Sequence, residues 1–276
     1  MDLNPSPAAL LFSWRLDPLV WGVTVALVGV YFWHFVRVRR SAEARAHWPG
    51  WRALLFGLGA LVALLGLQTN ASSYTLNSMA LYMGRLMLLA ELAPPLLMLG
   101  LPSGLLALHR SGPARRLLSF VLDPFVVFAL WTTIIVFWNL PIGFNASLVS
   151  ATASTLLPVL YLLGGTLLWA VALNTVPQLN RLSVLGRGAF GFLSALPMMG
   201  VAAVWLYSPA VLYSPYVNVP CLWNLTPLQN QQISGLVMLM AGMPALALAL
   251  MQVLGGLLKL SEAQGELAAS ESGSAD

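Results

Sequence analysis

Seven long apolar runs decide what this chain can be. They cover about residues 18–38, 52–69, 75–100, 117–139, 150–173, 188–207 and 232–258, and each approaches the roughly 17–25 residues a helix needs to cross about 30 Å of hydrocarbon. In lipid, backbone N–H and C=O groups find no water, so such runs close their hydrogen bonds internally as helices; a closed barrel would show short alternating strands instead. Composition points the same way. The chain is 59% hydrophobic and 8% charged, where a soluble domain carries about a quarter charged residues. The expectation is all-α: a polytopic membrane protein with a seven-transmembrane-helix bundle over residues 18–258, an N-terminal segment 1–17, and a tail 259–276. That tail, rich in Glu, Ala, Ser and Gly, has no means of burying itself and is expected to be disordered.

Charge gives the orientation. Arg37, Arg39, Arg40, Arg45 and Arg52 lie between the first two runs, Arg110, Arg115 and Arg116 between the third and fourth, Arg181 and Arg187 between the fifth and sixth, and Lys259 after the seventh. The alternate connections, 70–74, 140–149 and 208–231, hold neither Lys nor Arg. Basic loops stay cytoplasmic, so the N-terminus is expected outside and the C-terminus in the cytoplasm, which requires an odd number of spans. The net charge of +4 is thus spent on orientation, and no nucleic-acid partner is expected. The first run, followed by the stop-transfer cluster at Arg37, Arg39 and Arg40, is expected to stay in the membrane rather than be cleaved as a signal peptide. Tyr74, Trp138, Trp205, Tyr207, Tyr213, Tyr216 and Trp223 fall at predicted outer exits and are expected to form an aromatic belt. Asp123-Pro124 reads as an N-cap and first-turn proline that start the fourth span, leaving 114–122 along the inner surface.

The stretch from Met79 to Pro102 carries two charges, Arg85 and Glu91, and the breaker Ala93-Pro94-Pro95. A charge near mid-bilayer costs at least about 2.5–3.5 kcal/mol, so each needs a partner or a wet cavity. Six residues apart, they are separated by about 120° around a helix and ~9 Å along it, and do not pair. Tyr82 shares a face with Arg85, and Arg85 is expected about 16 Å below the outer edge, held by helix carbonyls or by an acceptor on another helix or subunit. Met79, Met83 and Met87 recur at a spacing of four and form one stripe; thioethers suit Cu(I), and they equally suit core filling. Interior prolines at Pro94, Pro95, Pro158, Pro197 and Pro244 kink helices and can open a cavity between them. His34, His47 and His109 are far apart in sequence, the single cysteine is Cys221, and no nucleophile with its base can be assembled, so enzymatic activity is not expected.

The segment Tyr82-Met83-Gly84-Arg85-Leu86-Met87-Leu88-Leu89-Ala90-Glu91-Leu92-Ala93-Pro94-Pro95 is similar to the signature helix of the CtaG family of cytochrome c oxidase assembly factors, seven-helix proteins of bacterial inner membranes. Trp138-Asn139-Leu140-Pro141 resembles the family's Trp-His-Leu-Pro turn, Gly165-Thr166-Leu167-Leu168-Trp169 its Gly-rich fifth helix, and Asn230-Gln231-Gln232-Ile233-Ser234-Gly235 its Asp-Gln-Gln-x-Ala-Gly motif. The resemblance covers roughly residues 55–255. Where the family has histidines this chain has Tyr82, Leu86, Asn139, Ser154 and Pro158, and where it has an acid, Asn230. The resemblance implies a non-enzymatic role in maturing a haem–copper oxidase around its copper centre, with oxidase subunits as partners and the bacterial inner membrane as location. It leaves copper on this chain a possible ligand rather than an expected one. Arg85, Glu91, Tyr82, Asn139, Asn230 and Gln231 are the candidates for holding helices or a partner subunit. The alternatives are a stoichiometric accessory subunit of the oxidase and a transporter of a small solute or copper.

Overall fold

A computed structural model describes residues 3–39, 48–102, 112–179 and 182–273. Arg40, Arg45, His47, His109, Arg110 and Arg181 lie outside these. Helix α1 (Pro7–Phe12) is capped by Ser6. Helix α2 (Pro18–Val38) starts at Pro18, whose missing N–H would have no partner in a first turn, and the Asp17 side chain accepts from the Leu19 and Val20 amides. Helix α3 (Gly50–Gln68) leads through a 3-10 turn, Asn70–Tyr74, to α4, which runs Met79–Gly100. The short α5 (Pro113–Val121) precedes α6 (Pro124–Asn139), whose Asp123 cap accepts from the Phe125 and Val126 amides as the sequence predicts. Next come α7 (Pro141–Val149), α8 (Ala151–Ala172), α9 (Val184–Tyr207) and α10 (Pro227–Gly273).

Six of these helices are long and apolar enough to cross a membrane: α2, α3, α4, α8, α9 and α10. The pair α5 and α6, bent by 54°, makes a seventh if taken as one span. The described residues contain no strand, only an isolated bridge between Trp14 and Thr69. The chain is an all-α polytopic membrane protein. Its centre is α4 and α8, each 56% buried, while α2 at 11% is peripheral. Helix α4 packs against α3, α8 and α10, and α9 lies along α10.

The prolines of α4 do not break it. Pro94 and Pro95 offer no N–H to the preceding turn, and the helix widens into a π turn over Leu88–Leu92, with the Ala93 amide donating to the Leu88 carbonyl, before continuing to Gly100. Helix α8 lies so close to this turn that a Cβ on Gly165 would collide with the Ala90 carbonyl oxygen. Only glycine allows that approach.

The N-terminal segment and the connections 69–78, 140–150 and 208–226 meet at one end of the bundle. The Trp223 amide donates to the Leu3 carbonyl (3.0 Å), the Leu222 amide to Asn77 (2.9 Å), and the Arg15 amide to Gln68 (2.6 Å). The Tyr216 hydroxyl donates to the Thr75 carbonyl (2.6 Å). These segments form a cap.

Three expectations are corrected. The third span starts at Met79, not near residue 75, because Ser78 caps it and the preceding residues form the 3-10 turn; Arg85 therefore lies only about 9 Å along the helix from its start. The aromatic belt is mostly absent: Tyr74, Trp205, Tyr213 and Tyr216 are buried, and Tyr207 and Trp223 are exposed, because the 208–226 connection folds inward over the bundle. Finally, 259–273 continues α10 instead of forming a disordered tail. Ala, Leu, Glu, Gln and Lys are good helix formers, and extending an existing helix needs no new nucleus.

Candidate functional site

The last carbonyls of a helix need partners from outside it, and α3 shows where its own go. The Leu65 carbonyl accepts from the Thr69 hydroxyl (2.7 Å), Gly66 from Arg85 Nε (3.1 Å), Leu67 from the Gln68 amide group (3.4 Å) and Gln68 from the Arg15 amide. Arg85, only 8% exposed, thus terminates α3 with one edge of its guanidinium. A Cβ on Gly66 would lie 2.8 Å from the Leu89 side chain, so glycine lets α4 bring Arg85 this close.

Beside Arg85 a cavity of about 730 Å³ opens toward the capped end, with Arg15, Asp17, Tyr82, Arg85, Ser147 and Ser154 among its walls. Its charged side chains are two guanidinium groups, Arg15 and Arg85, and one carboxylate, Asp17, while the Ser147 and Ser154 hydroxyls already donate to the Phe144 and Ala151 carbonyls. Arg15 Nη1 donates to Ser72 Oγ (3.1 Å), and among the described residues the buried Tyr82 hydroxyl has no hydrogen-bond partner. One oxygen of Asp17 is engaged in capping α2. Three of the positions at which the resemblance assigns histidines, Tyr82, Ser154 and Pro158, line this one cavity. Of the other two, Leu86 is buried in the core and Asn139 is not among the walls of this cavity.

Glu91 occupies a separate site. It is 4% exposed and borders a cavity of about 20 Å³, enough for one water. Four polar atoms of residues lining that cavity lack hydrogen-bond partners: Glu91 Oε2, Trp169 Nε1, Ser194 Oγ and Gln252 Oε1. The Trp169 indole lies beside the Glu91 carboxyl without the geometry of a hydrogen bond. Two donors and two acceptors are the full complement of a water molecule. The structure does not bring Glu91 and Arg85 into a salt bridge.

The remaining candidates lie nearer the capped end. The Asn139 side-chain amide donates to the Ile135 carbonyl (2.6 Å) and the Tyr161 hydroxyl (2.8 Å), and the Asn139 backbone carbonyl accepts from the Tyr213 hydroxyl (2.5 Å). Trp205 Nε1 donates to that same hydroxyl (2.5 Å). Burial raises the Tyr213 hydroxyl above its ordinary titration range, against the lowering effect of Trp205, so it remains a neutral donor. Asn230 Oδ1 accepts from the Ala80 amide (3.1 Å), one of the otherwise partnerless first amides of α4. Gln231 accepts from the Leu212 amide (2.8 Å) and donates to the Ala210 (3.3 Å) and Trp205 (3.4 Å) carbonyls. Asn139, Asn230 and Gln231 are buried and tie the returning connection to the helices.

The donor chemistry does not fit a copper centre. Met79, Met83 and Met87 are packed into the main apolar core with Tyr82, Leu86 and Leu89, and among the described residues no three His, Cys, Asp or Glu side chains converge. His34 packs against Trp48 with ring centroids 5.9 Å apart, away from the cavity at the capped end. Sequence reasoning missed the partners of Glu91, the contribution of Arg15, and the inward role of Tyr161 and Tyr213. Only the Gly165–Trp169 motif pointed toward one of them.

The family model described as cytochrome c oxidase caa3 assembly factor (Caa3_CtaG) matches residues 29–259. No curated protein and no solved structure matches the chain. The match runs from inside α2 into α10 and takes in Arg85 and Glu91, while Arg15, Asp17, Pro18 and Val20, which also line the larger cavity, precede it. By that match the chain belongs to the CtaG family, and it is a multi-pass membrane assembly factor for cytochrome c oxidase.

Proposed function

We propose that this assembly factor works without catalysis in a bacterial inner membrane, with its capped end outside and its C-terminus in the cytoplasm, and that it supports maturation of a haem–copper oxidase around the copper centre by holding an oxidase subunit rather than the metal. The observation that carries this reading is the cavity at the capped end, whose charged side chains are two guanidinium groups against one carboxylate. Tyr82, Ser154 and Pro158, at positions the family resemblance assigns to histidine, line it together with Arg85, and none of these side chains is a good ligand for Cu(I). Two guanidinium groups, donors only, suit recognition of acceptor groups on a partner. The basic connections on the opposite side support the orientation.

The test is a deletion strain in which haem spectra and oxidase copper are measured together. The expected result is a loss of assembled oxidase in which haem and copper fall in parallel, because the subunit itself is not held. Oxidase that keeps its haem but lacks copper would overturn the reading in favour of direct metal insertion. Full assembly without the protein would overturn it altogether.

A further inference from the structure

The polar cavity beside Arg85 does not stand alone. Val20, Leu67 and Val159 line it and also line a second space of about 830 Å³, an apolar groove between α2 and the rest of the bundle. The groove follows α2 from Leu19 to His34, fifteen residues or about 22 Å, more than half of the ~30 Å hydrocarbon thickness. A polar chamber joined lengthwise to an apolar furrow is shaped for an amphiphile.

We propose that the chamber and groove form one binding site for an anionic phospholipid, with its phosphate at Arg85 and Arg15 and an acyl chain along α2. The proposal concerns the same chamber as the proposed function but rests on its geometry, not on that reading. Three observations select this occupant. The charged side chains lining the chamber are two guanidinium groups against one carboxylate, and that carboxylate already caps α2. Among the described residues the Arg85 side chain hydrogen-bonds only through Nε, so its Nη groups remain as donors for phosphate oxygens. The groove walls are almost wholly apolar side chains; an acyl chain fits there without cost, whereas a peptide segment would bring backbone groups that the groove cannot satisfy. The slight burial of α2 leaves the groove open to the bilayer for entry.

The test is native mass spectrometry of the full chain purified in mild detergent, after incubation with phosphatidylglycerol or with phosphatidylcholine of the same acyl chains. Phosphatidylglycerol is expected to be retained at one molecule per chain and at least about tenfold more tightly than phosphatidylcholine (~1.4 kcal/mol). Arg15→Gln, which leaves the Arg85 cap on α3 intact, is expected to weaken retention of the anionic lipid severalfold and to leave that of the neutral lipid unchanged. Val23→Trp, on the exposed groove face of α2, is expected to weaken both. Equal retention of the two lipids, indifference to both variants, or displacement of the lipid by inorganic phosphate or by a dicarboxylate porphyrin at equal concentration would each overturn the assignment. The measurement uses purified protein and the functional test uses cells, so either can fail alone.

Discussion

Gly165→Ala and Gly200→Ala make the same chemical change in two helices with opposite surroundings. At Gly200, within α9, a Cβ meets nothing within 4 Å, and alanine gains about 0.8–1.0 kcal/mol of helix propensity over glycine. At Gly165, within α8, the same propensity applies, but the Cβ would overlap the Ala90 carbonyl oxygen and lie 2.8 Å from Ala90 Cα and 2.9 Å from its carbonyl carbon. These are backbone atoms of the π turn and cannot rotate away, so the helices must separate, at the cost of about 1–3 kcal/mol typical of overpacking. The propensity gain is common to both variants and cancels in their difference. Gly165→Ala should therefore be about 1–3 kcal/mol less stable than Gly200→Ala. For a chain of this size each kcal/mol moves the midpoint by roughly 2–4 °C, giving a gap of about 2–12 °C in thermal unfolding followed by circular dichroism in detergent. Equal midpoints would mean that α8 does not press on the π turn, and the claim that only glycine allows that approach would fall with it.

Further outcomes are expected elsewhere in the chain. Reporter fusions at Ser72, Asn145 and Asn218 should register outside the membrane, and fusions at Ala44, Gly112 and Ser183 in the cytoplasm; a cytoplasmic signal from Asn218 would refute the orientation. Changing Met79, Met83 and Met87 together to Leu roughly conserves volume in the core, each at less than about 1.5 kcal/mol, and should leave oxidase maturation near normal, whereas a selective fall in oxidase copper would return the thioethers to a metal role. Glu91→Gln keeps an acceptor at the small cavity and should unfold near the parent temperature, while Glu91→Leu strands the Trp169 and Ser194 donors and should cost about 1–3 kcal/mol; if the leucine variant matches the glutamine variant in a thermal scan, the four polar atoms do not act as a unit.

The bundle was legible because its signal is coercive. An apolar run of some twenty residues has few other fates, and Asp123-Pro124 announces a helix start whatever the tertiary context. The misreadings share a cause. Residues 75–78 read as part of the third run because hydropathy, averaged over a window, does not register that Ser78 is a cap. Trp205, Tyr213 and Tyr216 looked like belt residues because a long loop at a helix exit normally faces the headgroups. Here Gln231 accepts from the Leu212 amide and Asn230 donates to Cys221 Sγ (3.5 Å), so both hold that loop against the bundle.

The two intramembrane charges mark how far a sequence can carry such reasoning. That Arg85 and Glu91 needed environments followed from the cost of charge in lipid; which environments they found did not. The acceptor for Arg85 is the Gly66 carbonyl, a backbone atom with no sequence signature, freed because the chain leaves the helix at Thr69 and the Asn70 amide turns to Ser13 instead. The surroundings of Glu91 come from three other helices, through Trp169, Ser194 and Gln252, each unremarkable in its own apolar run. Arginine therefore ends at the wall of a large polar chamber, where a ligand can reach it, and glutamate is sealed at a cavity the size of one water. Residues six apart on one helix have been given opposite kinds of access: Glu91 sits within the π turn that begins at Leu88 and borders residues of α8, α9 and α10. That difference in access is the physical reason to look for recognition at Arg85 and for structural integrity at Glu91.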